Sequence, residues 1–123
     1  MTASDGEPYD WIMAVKENLV KIVRTTLVQP RKGYEAEVAS LLHELEEFLS
    51  QQPGFIEGYE VHDENSMGRI SVWTSKEDAD HAATLVHTIA LRAKVHARTL
   101  PVRRESLLRV DQEHHVEAPA AIR

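Results

Sequence analysis

The repeat of residues 34–62 changes across a single dipeptide. Up to Gln52, apolar residues recur every three or four positions, at Val38, Leu41, Leu42, Leu45, Phe48 and Leu49. This is the period of a helix with one buried face. After Pro53 and Gly54 the chain reads "FIEGYEVH", an alternating, aromatic-containing run of strand character. Proline pushes the residue before it out of the helical region, and glycine then permits the chain to reverse. A helix that stops here and turns straight into a strand must lay that strand back along itself, so the chain needs a layered arrangement of helices on a sheet.

The neighbouring segments extend this arrangement. Residues 19–28, "LVKIVRTTLV", are rich in β-branched side chains and predict a first strand, followed by "QPRKG" as a breaker. The helix after it has no good Ser, Thr, Asp or Asn cap and is placed from near Tyr34 or Glu35. The second strand covers residues 55–62, "DENSMG" has the composition of a hairpin loop, and "RISVWT", residues 69–74, is the third strand. Ser75 reads as an N-cap with Asp78 three residues on. A second helix is expected from about Lys76 to Ala97, burying Ala79, Ala82, Ala83, Val86, Ile89, Ala90 and Ala93. Residues 101–110 are the fourth strand.

The predicted order is β-α-β-β-α-β, an α+β chain of ferredoxin-like type with a four-stranded antiparallel sheet. Two helices cover only one face of such a sheet. In the first strand Leu19, Val23 and Leu27 point one way and Val20, Ile22 and Val28 the other, and in the fourth Val102, Leu108 and Val110 oppose Leu107, so both faces carry apolar residues. An open apolar face predicts a sheet-to-sheet homodimer. Residues 1–18 form an N-terminal extension with a possible short helix over 8–17. Trp11, Ile12 and Val15 would share one side of it. Residues 19–110 form the domain, and 111–123 a tail without a strong period.

Composition narrows the functions. The chain of 123 residues has no cysteine, which removes disulfides, thiolate nucleophiles and zinc–thiolate sites. No apolar run reaches membrane-spanning length, and the N-terminus lacks the basic and apolar regions of a secretory signal, so a cytoplasmic protein with no membrane partner is expected. The formal net charge of −6 argues against nucleic acid as a partner. The basic residues that gather late, Arg92, Lys94, Arg98, Arg103 and Arg104, read in part as complements to a helix carboxyl end. No nucleophile elbow, P-loop or dinucleotide fingerprint is found.

Two stretches carry a family likeness. "LHELEEFLSQQPGFIEGYEV" is a helix ending in a Pro-Gly-Phe step, and "GRISVWTSKEDA" is a strand closing on Trp-x-Ser-x-Glu before a helix. Over about residues 19–110 the chain resembles the antibiotic-biosynthesis-monooxygenase-like (ABM) family of dimeric α+β barrels. The resemblance implies a homodimer and a pocket for a small hydrophobic or aromatic molecule. Its oxygenase members work without metal or flavin, so it implies no cofactor and no metal site. A phenolic or quinol-like substrate would lose a proton and react with dioxygen. The protein would supply an apolar pocket, a proton acceptor and polar groups for the developing anion. Fold alone does not carry that activity, because non-catalytic homodimers share it.

The resemblance also suggests site residues. Family members place histidines at the positions of Ala82 and His87, so only His87 matches, and it becomes the candidate base. Trp73 is the candidate pocket wall, with core packing as the simpler reading. Tyr59 and Arg24 could line the cavity, or be a cross-strand aromatic and a surface cation. Haem-degrading relatives carry a first-strand Asn, a second-helix Trp and a later His. This chain has no such Asn, and Ala82 and Arg92 at the other positions. His62, Asp63 and Glu64 read as turn residues, His114 and His115 as tail residues, and His43 as facing solvent.

Overall fold

A computed structural model describes residues 20–116. The elements are β1 (Ile22–Pro30), α1 (Glu35–Leu49), β2 (Phe55–His62), β3 (Met67–Trp73), α2 (Lys76–Ala83), α3 (Val86–Ala97) and β4 (Thr99–Arg109). The strands form one sheet in the order β2-β3-β1-β4, with every neighbouring pair antiparallel. The α+β, ferredoxin-like order expected from the sequence is present. Trp11, Ile12 and Val15 lie outside the described residues. Among those described, no helix is long and apolar enough to cross a membrane.

The Pro53-Gly54 step has a clear role. Gly54 has φ +87°, a left-handed conformation open to glycine, and its carbonyl accepts from Thr74 N at 2.8 Å. The turn that ends α1 is thus pinned to the end of β3. A Cβ at Gly54 would overlap Asp78 at the start of α2, so the reversal is also a packing contact.

The helices lie on one face of the sheet. Ile22, Leu45, Leu49, Trp73, Ala79, Ala82 and Leu91 form one buried cluster, and Val28, Val38, Leu42 and Val95 a second. Exposed on α1, His43 bridges two carboxylates: Nε2 lies 2.6 Å from Glu47 and Nδ1 lies 2.8 Å from Glu60 on β2. Its pKa is raised, first through the hydrogen bond to Glu60. A raised histidine pKa contributes stability that is full below the unfolded value of about 6.5 and lost as pH rises through the folded value. The melting-temperature advantage of wild type over His43→Gln is therefore expected at pH 6 and gone at pH 9. A difference that ignores pH would show that the bridge does not hold α1 to β2.

Strand boundaries differ from expectation, and β1 begins at Ile22 rather than Leu19. β1 continues through Gln29 to Pro30, where the ladder shifts register and Pro30 pairs with Thr99. A proline is tolerated at such a strand end, where no N–H is required. β3 begins two residues earlier than expected, at Met67, and β4 begins at Thr99. Pro101 fits inside β4 because that strand is at the sheet edge.

The second helix is not continuous. It breaks at Thr84 and Leu85, with Leu85 extended at φ −66°, ψ 143°. The Thr84 hydroxyl donates to His81 O at 2.9 Å, and buried Thr88 donates to Ala82 O at 2.7 Å across the break. Such local side-chain bonds compete with the helical ladder. The break also shifts the phase. Ala79 and Ala82 are buried on α2, but on α3 the buried positions are Thr88, Leu91 and Val95. Val86 and Ile89, expected inside, are 84% and 55% exposed, and Ala90 and Ala93 are exposed too.

Candidate functional site

Period-two alternation on β3 puts Arg69, Ser71 and Trp73 on the face toward the helices. All three are buried. Arg24 and Thr26 join them from β1, since Arg24 pairs with Ser71 and Thr26 with Arg69 across the ladder. Above these strands, α1 contributes Leu42, Leu45 and Leu49, and α2 contributes Ala79 and Ala83. α3 contributes Thr88, Arg92, Val95 and His96. Together they line a cleft between sheet and helices. The space between its walls is about 520 Å³ with the open mouth included. The cleft is narrow, and only about 30 Å³ admits the centre of a water molecule.

The floor is a hydrogen-bonded polar chain that runs from Glu46 to Trp73. Arg69 Nε donates to Glu46 Oε1 at 2.7 Å, and Arg69 Nη2 donates to Ser71 Oγ at 3.1 Å. Trp73 Nε1 donates to the same Ser71 oxygen at 2.9 Å. Phe55 packs edge-on to the indole, with ring centroids 5.3 Å apart. Glu46 Oε2 is buried without a hydrogen-bond partner, and burial raises the Glu46 pKa while Arg69 opposes the rise. Gly58 makes room for that carboxylate, since a Cβ there would overlap Oε2.

The upper wall is cationic. Arg92 donates to Glu105 on β4. Arg24 lies 3.8 Å from Asp80, too far for a hydrogen bond, while Lys76 binds that same carboxylate group at 2.6 Å. Burial first, and Arg92 next, pull the Arg24 pKa below its ordinary value. His96 is also lowered, by burial and then by Arg103 and Arg92. A neutral imidazole is the form this setting favours.

The structure brings two of the four sequence-predicted site residues to this cleft. Trp73 is 1% exposed, packs in the core and lines the cleft, with its indole N–H given to Ser71. Arg24 lines the cleft from β1. Tyr59 is 52% exposed, and its hydroxyl donates to the neighbouring Glu57. It pairs with Ile70, whose side chain points away from the face that Arg69 and Ser71 share. His87 is exposed and does not line the cleft; its ring meets Phe48 edge-on at 4.5 Å. The phase shift at Thr84 and Leu85 carries His87 outward and Thr88 inward.

Sequence reasoning passed over Arg69, Ser71, Arg92 and His96. The first two were within reach, because they alternate with Trp73. The others depend on the helix break. The reading of Asp63 as a turn residue holds, since its Oδ1 accepts from Asn65 N and Ser66 N. Among the described residues, no group of three or more His, Asp or Glu side chains converges for a metal ion.

No family model matches the chain, and neither does any curated protein. Solved structures do. The chain is similar to SnoaB, a cofactor-independent oxygenase from Streptomyces nogalater, at 20% identity and TM-score 0.68, over 76% of this chain and 96% of that one. A candidate antibiotic biosynthesis monooxygenase from Caulobacter crescentus CB15 aligns at TM-score 0.70 and 11% identity, over 82% and 99% of the two chains. Rv0793 from Mycobacterium tuberculosis aligns at TM-score 0.68 and 16% identity, over 77% and 99%. At these identities the likeness is one of fold. The chain has the α+β fold of the ABM-like structures, which is the fold its Pro-Gly-Phe and Trp-x-Ser-x-Glu stretches implied.

Proposed function

We propose that the chain is a homodimeric, cofactor-independent monooxygenase acting on a small aromatic or quinol-like compound. The observation that carries the reading is the cleft itself: one buried tryptophan, leucines and alanines opposite it, and arginines on the remaining wall. An apolar slot takes an aromatic ring, and guanidinium groups stabilise the anion that forms when such a ring loses a proton. The fold shared with SnoaB supports the same class. The uncovered sheet face supports the dimer.

The wild type is expected to consume oxygen with an anthrone or a quinol, equally well after chelator treatment. No consumption with any such compound would end the enzyme reading. His87, the base suggested by family position, stands outside the cleft. His87→Ala is thus expected to consume oxygen at the wild-type rate. A fall of about 10²–10⁴-fold, with the protein folded, would return it to that role.

A second reading has an observation in its favour. A cleft of which only about 30 Å³ admits a water-sized centre suits a non-catalytic homodimer that binds a small hydrophobic molecule. Saturable binding of an anthrone without oxygen uptake would select it.

A further inference from the structure

α3 is apolar on two sides. Thr88, Leu91 and Val95 are buried on one. On the opposite side Val86 and Ile89 stand 84% and 55% exposed, with Ala90 and Ala93 exposed beside them. Apolar residues scattered singly on a surface need no explanation, but these four recur at helical spacing and form one stripe. A helix with apolar residues on both sides is normally covered on both. Nothing among the described residues covers the outer one.

The stripe starts at the end of the domain where the preceding chain enters. Leu91 packs in the cluster of Ile22 and Trp73, and Val95 in that of Val28, so α3 runs from the Ile22 end of β1 toward its Pro30 end. Val86 and Ile89 come before Leu91 and stand at the Ile22 end. Residues 1–19, outside the described residues, join the domain at that same end. The point of entry is fixed: Lys21 O accepts from Val110 N at 3.0 Å, and Lys21 Nζ meets Glu113 at 2.7 Å.

We propose that residues 8–17 pack as a short amphipathic helix on the outer face of α3 of the same chain, with Trp11, Ile12 and Val15 against Val86, Ile89 and Ala93. The dimensions agree. Ten helical residues are about 15 Å long, and the rise from Val86 to Ala93 is about 11 Å. Residues 18–21 can extend roughly 13 Å, enough to pass the width of one helix. Charge agrees as well. α3 carries Arg92 and Lys94 and no carboxylate, whereas residues 1–18 carry Asp5, Glu7, Asp10 and Glu17 against one cationic side chain, Lys16. The segment runs antiparallel to α3. It braces from outside the helix that gives Thr88, Arg92, Val95 and His96 to the cleft.

The test is a double-mutant cycle in the full-length chain between Ile89→Asp and Trp11→Ala. Ile89 is the fourth residue of α3, where an acidic side chain in water favours the helix. An uncovered Ile89 therefore gives an unchanged or higher Tm for Ile89→Asp. The docked segment gives a fall of about 4–8 °C for each single variant. The double variant should fall no further, because both changes break one contact. Acrylamide quenching reads the segment directly, since Trp73 is buried and Trp11 is the other tryptophan. Neither indole should be strongly quenched in the wild type, and one of the two should become so in Ile89→Asp. Ile89→Ser, a milder change at the same site, should open Trp11 to quenching with a smaller fall in Tm.

An Ile89→Asp variant that melts as the wild type does overturns the proposal and leaves the face to a foreign partner. Additive falls overturn it by placing the segment elsewhere, the open sheet face included. A fall for Ile89→Asp with none for Trp11→Ala overturns it in favour of residues 117–123. Strong quenching of Trp11 in the wild type overturns it outright, and quenching that sets in only on dilution overturns it in favour of a second copy.

Discussion

Arg69→Ala is expected to lower the unfolding free energy by about 3–5 kcal/mol, the cost of breaking a buried ion pair from one side. Arg69 and Glu46 are each only 7% exposed and are joined at 2.7 Å. Removing the guanidinium strands Glu46, whose second oxygen already has no partner, and takes a donor from Ser71. The loss should depend on pH, with a definite sign. Burial already raises the Glu46 pKa, and losing Arg69 removes the main opposing charge. The variant can then relieve the stranded carboxylate by protonating it. Its deficit relative to wild type should be largest at pH 8 and shrink as pH falls through the raised Glu46 value. Urea unfolding at pH 8 and pH 5 measures both. Replacing both partners, Arg69→Met with Glu46→Leu, should recover most of the loss, because apolar groups of similar volume often replace buried pairs at no net cost. A single variant as stable as wild type at pH 8 would show that the pair is not buried in solution.

The second large effect concerns the far side of the sheet. Val23, Leu27, Ile70 and Val72 point away from the helices and are half-buried at most, while Leu108 and Val102 are 55% and 62% exposed. Nothing in the described residues of one protomer covers this face. In a two-fold symmetric sheet-to-sheet dimer the same patch meets its own copy, so a new carboxylate there is introduced on both chains. Leu108 sits opposite Val23 and next to the central strands. Leu108→Glu is expected to weaken the dimer by about 3–5 kcal/mol, as for an uncompensated buried charge, or more than a hundredfold in Kd. Sedimentation at micromolar concentration should show the wild type as a dimer and the variant as a monomer. A monomeric wild type would remove the dimer from the proposed function, and a dimeric Leu108→Glu would move the interface to another surface.

Much of this fold was legible because its signals are local. Pro53 and Gly54 end a helix and reverse the chain through their own backbone limits, and β2 occupies the span that alternation assigned to it. Alternation also separates the two sheet faces: Ile22 and Val28 are buried under the helices, and Val23 and Leu27 are turned away. Trp73 and Arg24 reach the cleft for the same reason, since a strand residue's face follows from its parity alone.

The helical half of the site was decided otherwise. No glycine or proline marks the break between α2 and α3. It is held by hydroxyl bonds, with Thr84 donating to His81 O and Thr88 reaching back across the break to Ala82 O. Two residues outside the helical phase rotate everything after them. Periodicity carried through Thr84 and Leu85 therefore assigned Val86 and Ile89 to the core, whereas the folded chain buries Thr88, Leu91 and Val95 and turns Arg92 and His96 to the cleft. The pairing of Glu46 with Arg69 is likewise a contact between α1 and β3, far apart in the chain. Alternation could place Arg69 on the inner face, but only packing could bring a carboxylate to it and leave Arg24 without one at hydrogen-bond distance.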